Sequence, residues 1–178
     1  MRAVAKALRR VRADVVVVTN CVPGSGNRLR RDARYDSVWE HSVGYEKLAL
    51  DTLVLSNGPV VPRICDLDDV LLCDVLVGGG HTDLASVSET PRDLLRLLVH
   101  LDESRPLVVM GCLSTDTDAP QTITSVRAAG YVDASLNGKE VNNDPKRAGI
   151  LVTGLHNYGD SVYVSPEGVL VYWARLGY

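Results

Sequence analysis

Phenylalanine is absent from this chain of 178 residues, and aromatic side chains of all kinds make up only 5% of it. A core without Phe has to be built from Val and Leu, and β-branched residues favour strands. Nowhere does an apolar run reach the ~18 residues that a membrane-spanning helix needs, so no membrane partner is expected. The opening Met1–Arg10 is amphipathic and lacks the apolar stretch of a secretory signal. Cysteine is sparse. Cys21, Cys65, Cys73 and Cys112 make neither a C-x-x-C pair nor a disulfide framework, which points to reduced thiols and a cytoplasmic setting. The net charge of −3 is too small for a field that gathers nucleic acid, so nucleic acid is not the expected partner. Pro23-Gly24-Ser25-Gly26-Asn27 and Gly78-Gly79-Gly80 match neither the phosphate-loop nor the dinucleotide pattern.

What is present reads as one α/β domain, residues 1–178, of roughly eight strands and three helices, without repeats or linkers. Val4, Ala7, Leu8 and Val11 recur at helical spacing, opposite Arg2, Lys6, Arg9 and Arg10. Asp14 leads into Val15–Val18, a run that suits a strand buried on both faces and ends at Thr19-Asn20-Cys21. Pro23–Asn27 reads as a loop, continued by Arg28, Arg30, Arg31 and Arg34 without a clear helix. Strands are expected near Ser37–Trp39, Ala49–Ser56, Val60–Cys65 and Val70–Val77, the last running on into Gly78-Gly79-Gly80-His81. Thr90-Pro91 opens a helix with a hydroxyl cap and Pro at its first position. Leu107–Met110 is a strand that ends in Gly111-Cys112-Leu113-Ser114. Pro120–Ala129 is a helix closed by Gly130. Gly149–Thr153, Ser161–Ser165 and Val169–Ala174 complete the strands. The usage, rich in Arg, Ala, Val and Asp, points to a bacterial source.

Taken in order, these pieces resemble segments of the endonuclease/exonuclease/phosphatase family, relatives of deoxyribonuclease I. Pro106–Ser114 is similar to its P-[LV]-V-V-x-G-D-x-N strand end, and Ala13–Asn20 to its R-P-D-V-V-x-L-Q-E segment. Leu53–Val60 resembles its x-x-I-L-S-R-x-P-I strand and turn. Ala128–Ala134 resembles x-A-G-L-x-D-A, and Asp160–Ser165 resembles R-I-D-Y-V-F-V-S. Val75–His81 aligns with a strand that ends in a catalytic-side His. The resemblance implies a four-layer α/β sandwich, truncated at both ends, with a site at one end of two packed sheets.

The departures from the family pattern carry as much information. Asn20 stands where the family has a carboxylate metal ligand, and Cys112 and Ser114 stand where it has Asp and Asn. Tyr158 replaces the Arg of R-I-D-Y, while Asp160 keeps the acid. The first strand with its Asn and the last strand with its Ser-Asp-His have no counterpart. Mg²⁺ wants hard oxygen ligands, usually carboxylates. Asn20 is neutral and Cys112 is soft. No metal cofactor is therefore expected; Mg²⁺ or Mn²⁺ belongs to the alternative below.

The resemblance places Asn20, Cys21, His81, Cys112, Ser114, His156 and Asp160 around one pocket. Cys112 reads as a thiolate nucleophile with His81 or His156 as its base, or as a small buried hydrophobe. Asp160 reads as an acid of the site or as a strand-start cap. Arg28 and Arg31 read as holding a phosphate-bearing ligand, or as a solvated face. The expected function is that of a repurposed family member. It has lost Mg²⁺-dependent phosphoester hydrolysis and binds or transforms a small molecule in a biosynthetic setting. One alternative is a residual metal-dependent phosphohydrolase or nuclease. Another is a non-catalytic interaction module, with open sheet edges covered by a homodimer or another partner.

Overall fold

The computed structural model describes residues 1–45, 48–63, 70–87, 105–114, 132–133 and 146–178. Helix α1 (Arg2–Val11) buries Ala5, Ala7 and Leu8 and ends at Arg12, whose left-handed backbone lets its N–H reach Leu8 O at 2.9 Å. Strand β1 (Val15–Cys21) follows, then α2 (Gly26–Ala33), β2 (Ser37–Tyr45) and β3 (Leu48–Ser56). The order β1-β3-β2 makes one antiparallel sheet. A second sheet has the order β4-β5-β6-β7-β9-β8. Its strands are β4 (Val61–Arg63), β5 (Val70–Val77), β6 (Gly80–Val87), β7 (Leu107–Ser114), β8 (Val132–Asp133) and β9 (Lys146–Thr153). Strands β10 (His156–Val164) and β11 (Leu170–Gly177) form a separate hairpin.

Side-chain alternation explains how these elements stack. Leu53, Val54 and Leu55 of the central β3 have no exposed surface. Leu53 and Leu55 pack with Ala5, Leu8, Leu29 and Ala33 beneath the helices. Val54, between them, faces the other way, into a core shared with Leu71, Cys73, Val75, Leu84, Val108, Ile150 and Val152 of the second sheet. β1 repeats the pattern: Val16 and Val18 join the helix-side core, Val15 and Val17 the inter-sheet core. The uninterrupted valine run is therefore a strand that packs against a core on each face, with Val16 buried and Val15, Val17 and Val18 partly buried. Each fully buried Leu or Val contributes about 1.5–3 kcal/mol. Helices over one sheet and a second sheet beneath it are three layers of the expected α/β sandwich. The expected helices from Thr90 and Pro120 lie outside the described residues.

Several expectations need correction. The basic stretch after Gly26 is helical, not a loop. Only Leu29 and Ala33 pin α2 to the core along with Gly26, too few apolar positions to show a period. The Gly26 N–H donates to the Glu40 carboxylate of β2 at 3.3 Å, so the helix start is capped from across the sheet. The run from Val70 does not continue through His81. Gly78 (φ 58°) and Gly79 (φ 86°) turn the chain back in the doubly left-handed conformation of a tight hairpin, and β6 pairs antiparallel with β5. The strand expected from Ser161 begins earlier, at His156. The Gly159 N–H bonds Asn157 Oδ1 at 3.0 Å, and the ladder shifts register there, which hides the alternation. Of the strand expected over Val60–Cys65, Val61–Arg63 is described. Among the described residues, no helix is long and apolar enough to cross a membrane.

Candidate functional site

Strand direction decides which candidates meet. β6 and β7 run parallel, with Val87 beside Gly111, so Cys112, Leu113 and Ser114 lie past the end of β6. β1 starts beside the end of β3, where Asn57 N–H donates to Asp14 O. There Gly58 lies against Leu76, 3.8 Å from where a β-carbon would stand. Leu76 pairs with His81 at the start of β6. β1 thus starts at the β5–β6 hairpin end and finishes at the opposite end, with the end of β7. Asn20 and Cys21 come to the same end of the sandwich as Cys112 and Ser114. Gly111, at φ 147°, holds β7 there in a backbone conformation that side chains resist, while the ladder to β9 keeps its register. In β1, by contrast, the register shifts between Val18 and Cys21.

The two histidines with described side chains stand at the other end. By the β6–β7 register, His81 lies about seven positions from Cys112, roughly 23 Å along the strands. Its Nδ1 is 2.8 Å from Asp74 Oδ1. His156 pairs with Gly177, whose Cα lies 3.6 Å from the β-carbon position of Gly78 in the hairpin turn. Tyr178 closes this end by donating its hydroxyl to His81 O at 2.8 Å. Neither imidazole is placed as a base for Cys112. The sequence does not reveal which way β6 runs, and that direction separates them.

Asp160 sits inside β10 rather than at its start. It pairs directly with Ala174, which packs in the inter-sheet core, so its carboxylate shares that inward face. Oδ1 accepts from Asn157 Nδ2 at 3.3 Å, and Oδ2 is buried without a donor. Cys21 is 5% exposed and packs in the helix-side core, not at a mouth between the sheets. Its Sγ lies 3.7 Å from Val18 O. Arg28 and Arg31 are exposed on α2, where Arg28 faces Asp32 at 3.8 Å.

Cys73 packs in the inter-sheet core. Burial first, then the nearby Asp74 and Asp83 charges, push its thiol from 9.0 up to about 12. Three units mean about 1,000-fold less thiolate than an ordinary cysteine. Iodoacetamide is expected to label Cys73 in the folded chain about 1,000-fold more slowly than a model thiol. Labelling at the model rate, resolved by peptide mass spectrometry, would contradict that packing.

The ladder also exposes positions that the sequence reading passed over. Lys146 stands opposite Ser114 and Arg147 opposite Leu113 at the start of β9. Asp51 of β3 stands opposite Cys21. The basic pair was legible just ahead of the apolar Ile150-Leu151-Val152. It gained meaning only once β9 was known to run antiparallel to β7. Among the described residues, no group of three or more His, Cys, Asp or Glu side chains is arranged to hold a metal. The donors carried over from the family pattern do not fit Mg²⁺. Asn20 offers a neutral amide, Cys112 a soft sulfur and Ser114 a hydroxyl.

No protein-family model matches the chain, and no curated protein matches it. Solved structures do. An endonuclease/exonuclease/phosphatase from Bacteroides vulgatus superposes with a TM-score of 0.68 at 14% identity, over 99% of this chain and 89% of the other. TDP2 of D. rerio, solved with a single-strand DNA product, gives 0.65 at 13% identity over 99% and 92%. An AP endonuclease from Archaeoglobus fulgidus gives 0.64 at 13% identity over 92% and 86%. At such identities the likeness speaks for architecture alone. The chain has the fold of the endonuclease/exonuclease/phosphatase family, the deoxyribonuclease I-like α/β sandwich.

Proposed function

We propose that this chain binds a phosphate-bearing small molecule at the β1, β7 and β9 end of the sandwich, without a metal. The observation that carries this reading is the β7–β9 register, which sets Lys146 and Arg147 against Ser114 and Leu113. The solved neighbours include nucleases and, in Bacteroides thetaiotaomicron, a mannosyl-6-phosphatase, proteins whose names speak of phosphoester chemistry. In this chain Asn20 and Cys112 replace carboxylates of the family pattern. Lys146, the ladder partner of Ser114, supplies positive charge that a hydrated Mg²⁺ would otherwise bring to a phosphate. Ser114 adds a hydroxyl and Asn20 an amide as neutral hydrogen-bond partners. Phosphoester hydrolysis needs an activated water and a protonated leaving group, and the described imidazoles are at the far end. Binding without Mg²⁺-dependent hydrolysis is the reading favoured here.

Titration of p-nitrophenyl phosphate is expected to show binding that Lys146→Met weakens about tenfold, the effect of removing one charge-assisted hydrogen bond. Arg147→Met should weaken it less, because Arg147 pairs with Leu113 on the opposite face of the sheet. Unchanged affinity in Lys146→Met, with its fold intact by circular dichroism, would refute this assignment. Arg28→Met should leave affinity unchanged, because that side chain faces Asp32 on the outer surface of α2.

A further inference from the structure

The two helices form one outer layer whose exposed face is basic. Ala5 and Leu8 of α1 and Leu29 and Ala33 of α2 turn into the same core over β3, and the helices pack side by side. Tyr35 donates its hydroxyl to Ala13 O at 2.9 Å, so the chain leaves both helices at the same end of the layer. At about 3.6 residues per turn, the face opposite the buried anchors carries Arg2, Lys6, Arg9 and Arg10 on α1. On α2 it carries Arg28 and Arg31, and all six side chains are exposed. Lys6 meets Glu167 at 2.7 Å, and Arg28 lies 3.8 Å from Asp32. Among the described residues, Arg2, Arg9, Arg10 and Arg31 make no ion pair.

The net charge of −3 conceals how unevenly the charges are shared. Residues 1–36 hold nine of the 19 Lys and Arg but three of the 22 Asp and Glu, a net charge of +6. The rest of the chain therefore carries −9. A field so divided turns the helix layer toward a polyanion and the remainder away from it. The shape of the layer selects among polyanions. Two packed helices present a face about 20 Å wide, too broad for the ~12 Å major groove of a duplex. Neither helix holds an aromatic residue on which single-stranded bases would stack. A planar array of lipid headgroups meets all six cations at once. Met1, at the start of α1, is 39% exposed, and Val22, just ahead of α2, is 67% exposed. Apolar groups at the margin of a basic face suit a lipid interface.

We propose that the α1–α2 layer docks on a membrane surface that contains anionic lipid. The contact is peripheral: the apolar faces of both helices are occupied by the core, so neither helix inserts, and the attraction comes from arginines over lipid phosphates. No helix among the described residues is able to span a bilayer, and this contact needs none. The docking face is separate from the β1, β7 and β9 end of the sandwich and does not depend on the ligand proposed there.

Co-sedimentation of the whole chain with lipid vesicles tests this. The probes are vesicles of equal parts phosphatidylcholine and phosphatidylglycerol, vesicles of phosphatidylcholine alone, and a fluorescent DNA duplex followed by anisotropy. Binding is expected on the anionic vesicles only, and it should fall away at high salt. Arg9→Gln, Arg10→Gln and Arg31→Gln should each weaken it about fivefold, and the three together about a hundredfold. All three side chains are exposed and Gln is a good helix former, so the triple variant should melt with the parent chain by circular dichroism. The proposal is overturned if anionic vesicles do not sediment the chain, or if neutral vesicles sediment it equally well. Tighter binding to the duplex than to anionic vesicles overturns it in favour of nucleic acid. Undiminished vesicle binding by the folded triple variant overturns it as well.

Discussion

Arg105→Met is expected to lower the unfolding free energy by about 3 kcal/mol, the cost of removing one partner from a buried charge cluster. Asp74 of β5 and Asp83 of β6 stand directly opposite each other in the ladder. Like charges in that position repel. Asp83 is only 2% exposed, so water does not screen it. Arg105 holds the pair together, with Nη2 at 2.5 Å from Asp74 Oδ2 and 3.3 Å from Asp83 Oδ1. Arg63 takes the other Asp83 oxygen at 2.5 Å, and His81 takes the other Asp74 oxygen. Asp83 Oδ1 is buried without a hydrogen-bond donor, so the Arg105 charge 3.3 Å away is what offsets it, and without Arg105 it faces a second carboxylate. A double variant that adds Asp74→Asn should recover part of the loss in urea unfolding, since it removes the repulsion. A loss below about 0.5 kcal/mol in the single variant would make this an ordinary surface arrangement.

The same cluster gives a pH dependence with a definite sign. Burial pushes the Asp74 carboxyl up, but hydrogen bonds from Arg105 and His81 outweigh it and hold the group below its ordinary 3.8. A depressed folded value means that the stabilisation is complete above the unfolded value. It is lost as pH falls through the folded one. The chain should therefore weaken below about pH 4, and Arg105→Met should weaken less steeply there.

Leu53→Ala should cost about 3 kcal/mol, the middle of the range for a fully buried leucine. Leu53 has no exposed surface, and it lies under both α1 and α2. Truncating it opens a cavity where helices and sheet meet, in a core that has no Phe to relax into the space. Val61→Ala, on the short exposed edge strand β4, should stay within about 0.5 kcal/mol. Similar losses at the two positions in urea unfolding would contradict the layer assignment of β3.

The fold was legible where local pattern and burial agree. The valine run of β1 and the apolar runs of β3, β5 and β7 read correctly because each is bounded by polar residues and packed on two faces. Helix α2 was missed because its anchors are Leu29, Ala33 and a glycine, and its cap comes from Glu40, fourteen residues away. The β5–β6 hairpin was missed although Gly78-Gly79 announces it; a third glycine blurred the turn. The site was legible only in part. Gly111-Cys112-Leu113-Ser114 and Asn20 were read as strand ends, and the registers bring both strands to the same end of the sandwich. His81 and His156 were drawn into the same pocket because sequence order says nothing about strand direction. Lys146 escaped notice for the same reason: only the β7–β9 register makes it the neighbour of Ser114.

Calorimetric titration of p-nitrophenyl phosphate into the chain, once in EDTA and once in millimolar Mg²⁺, puts metal-free recognition to its most direct test. Equal affinity in the two buffers, with no release of nitrophenol in either, is the expected result. Binding or turnover that appears only when Mg²⁺ or Mn²⁺ is present would contradict it and return the chain to the metal-dependent phosphohydrolases.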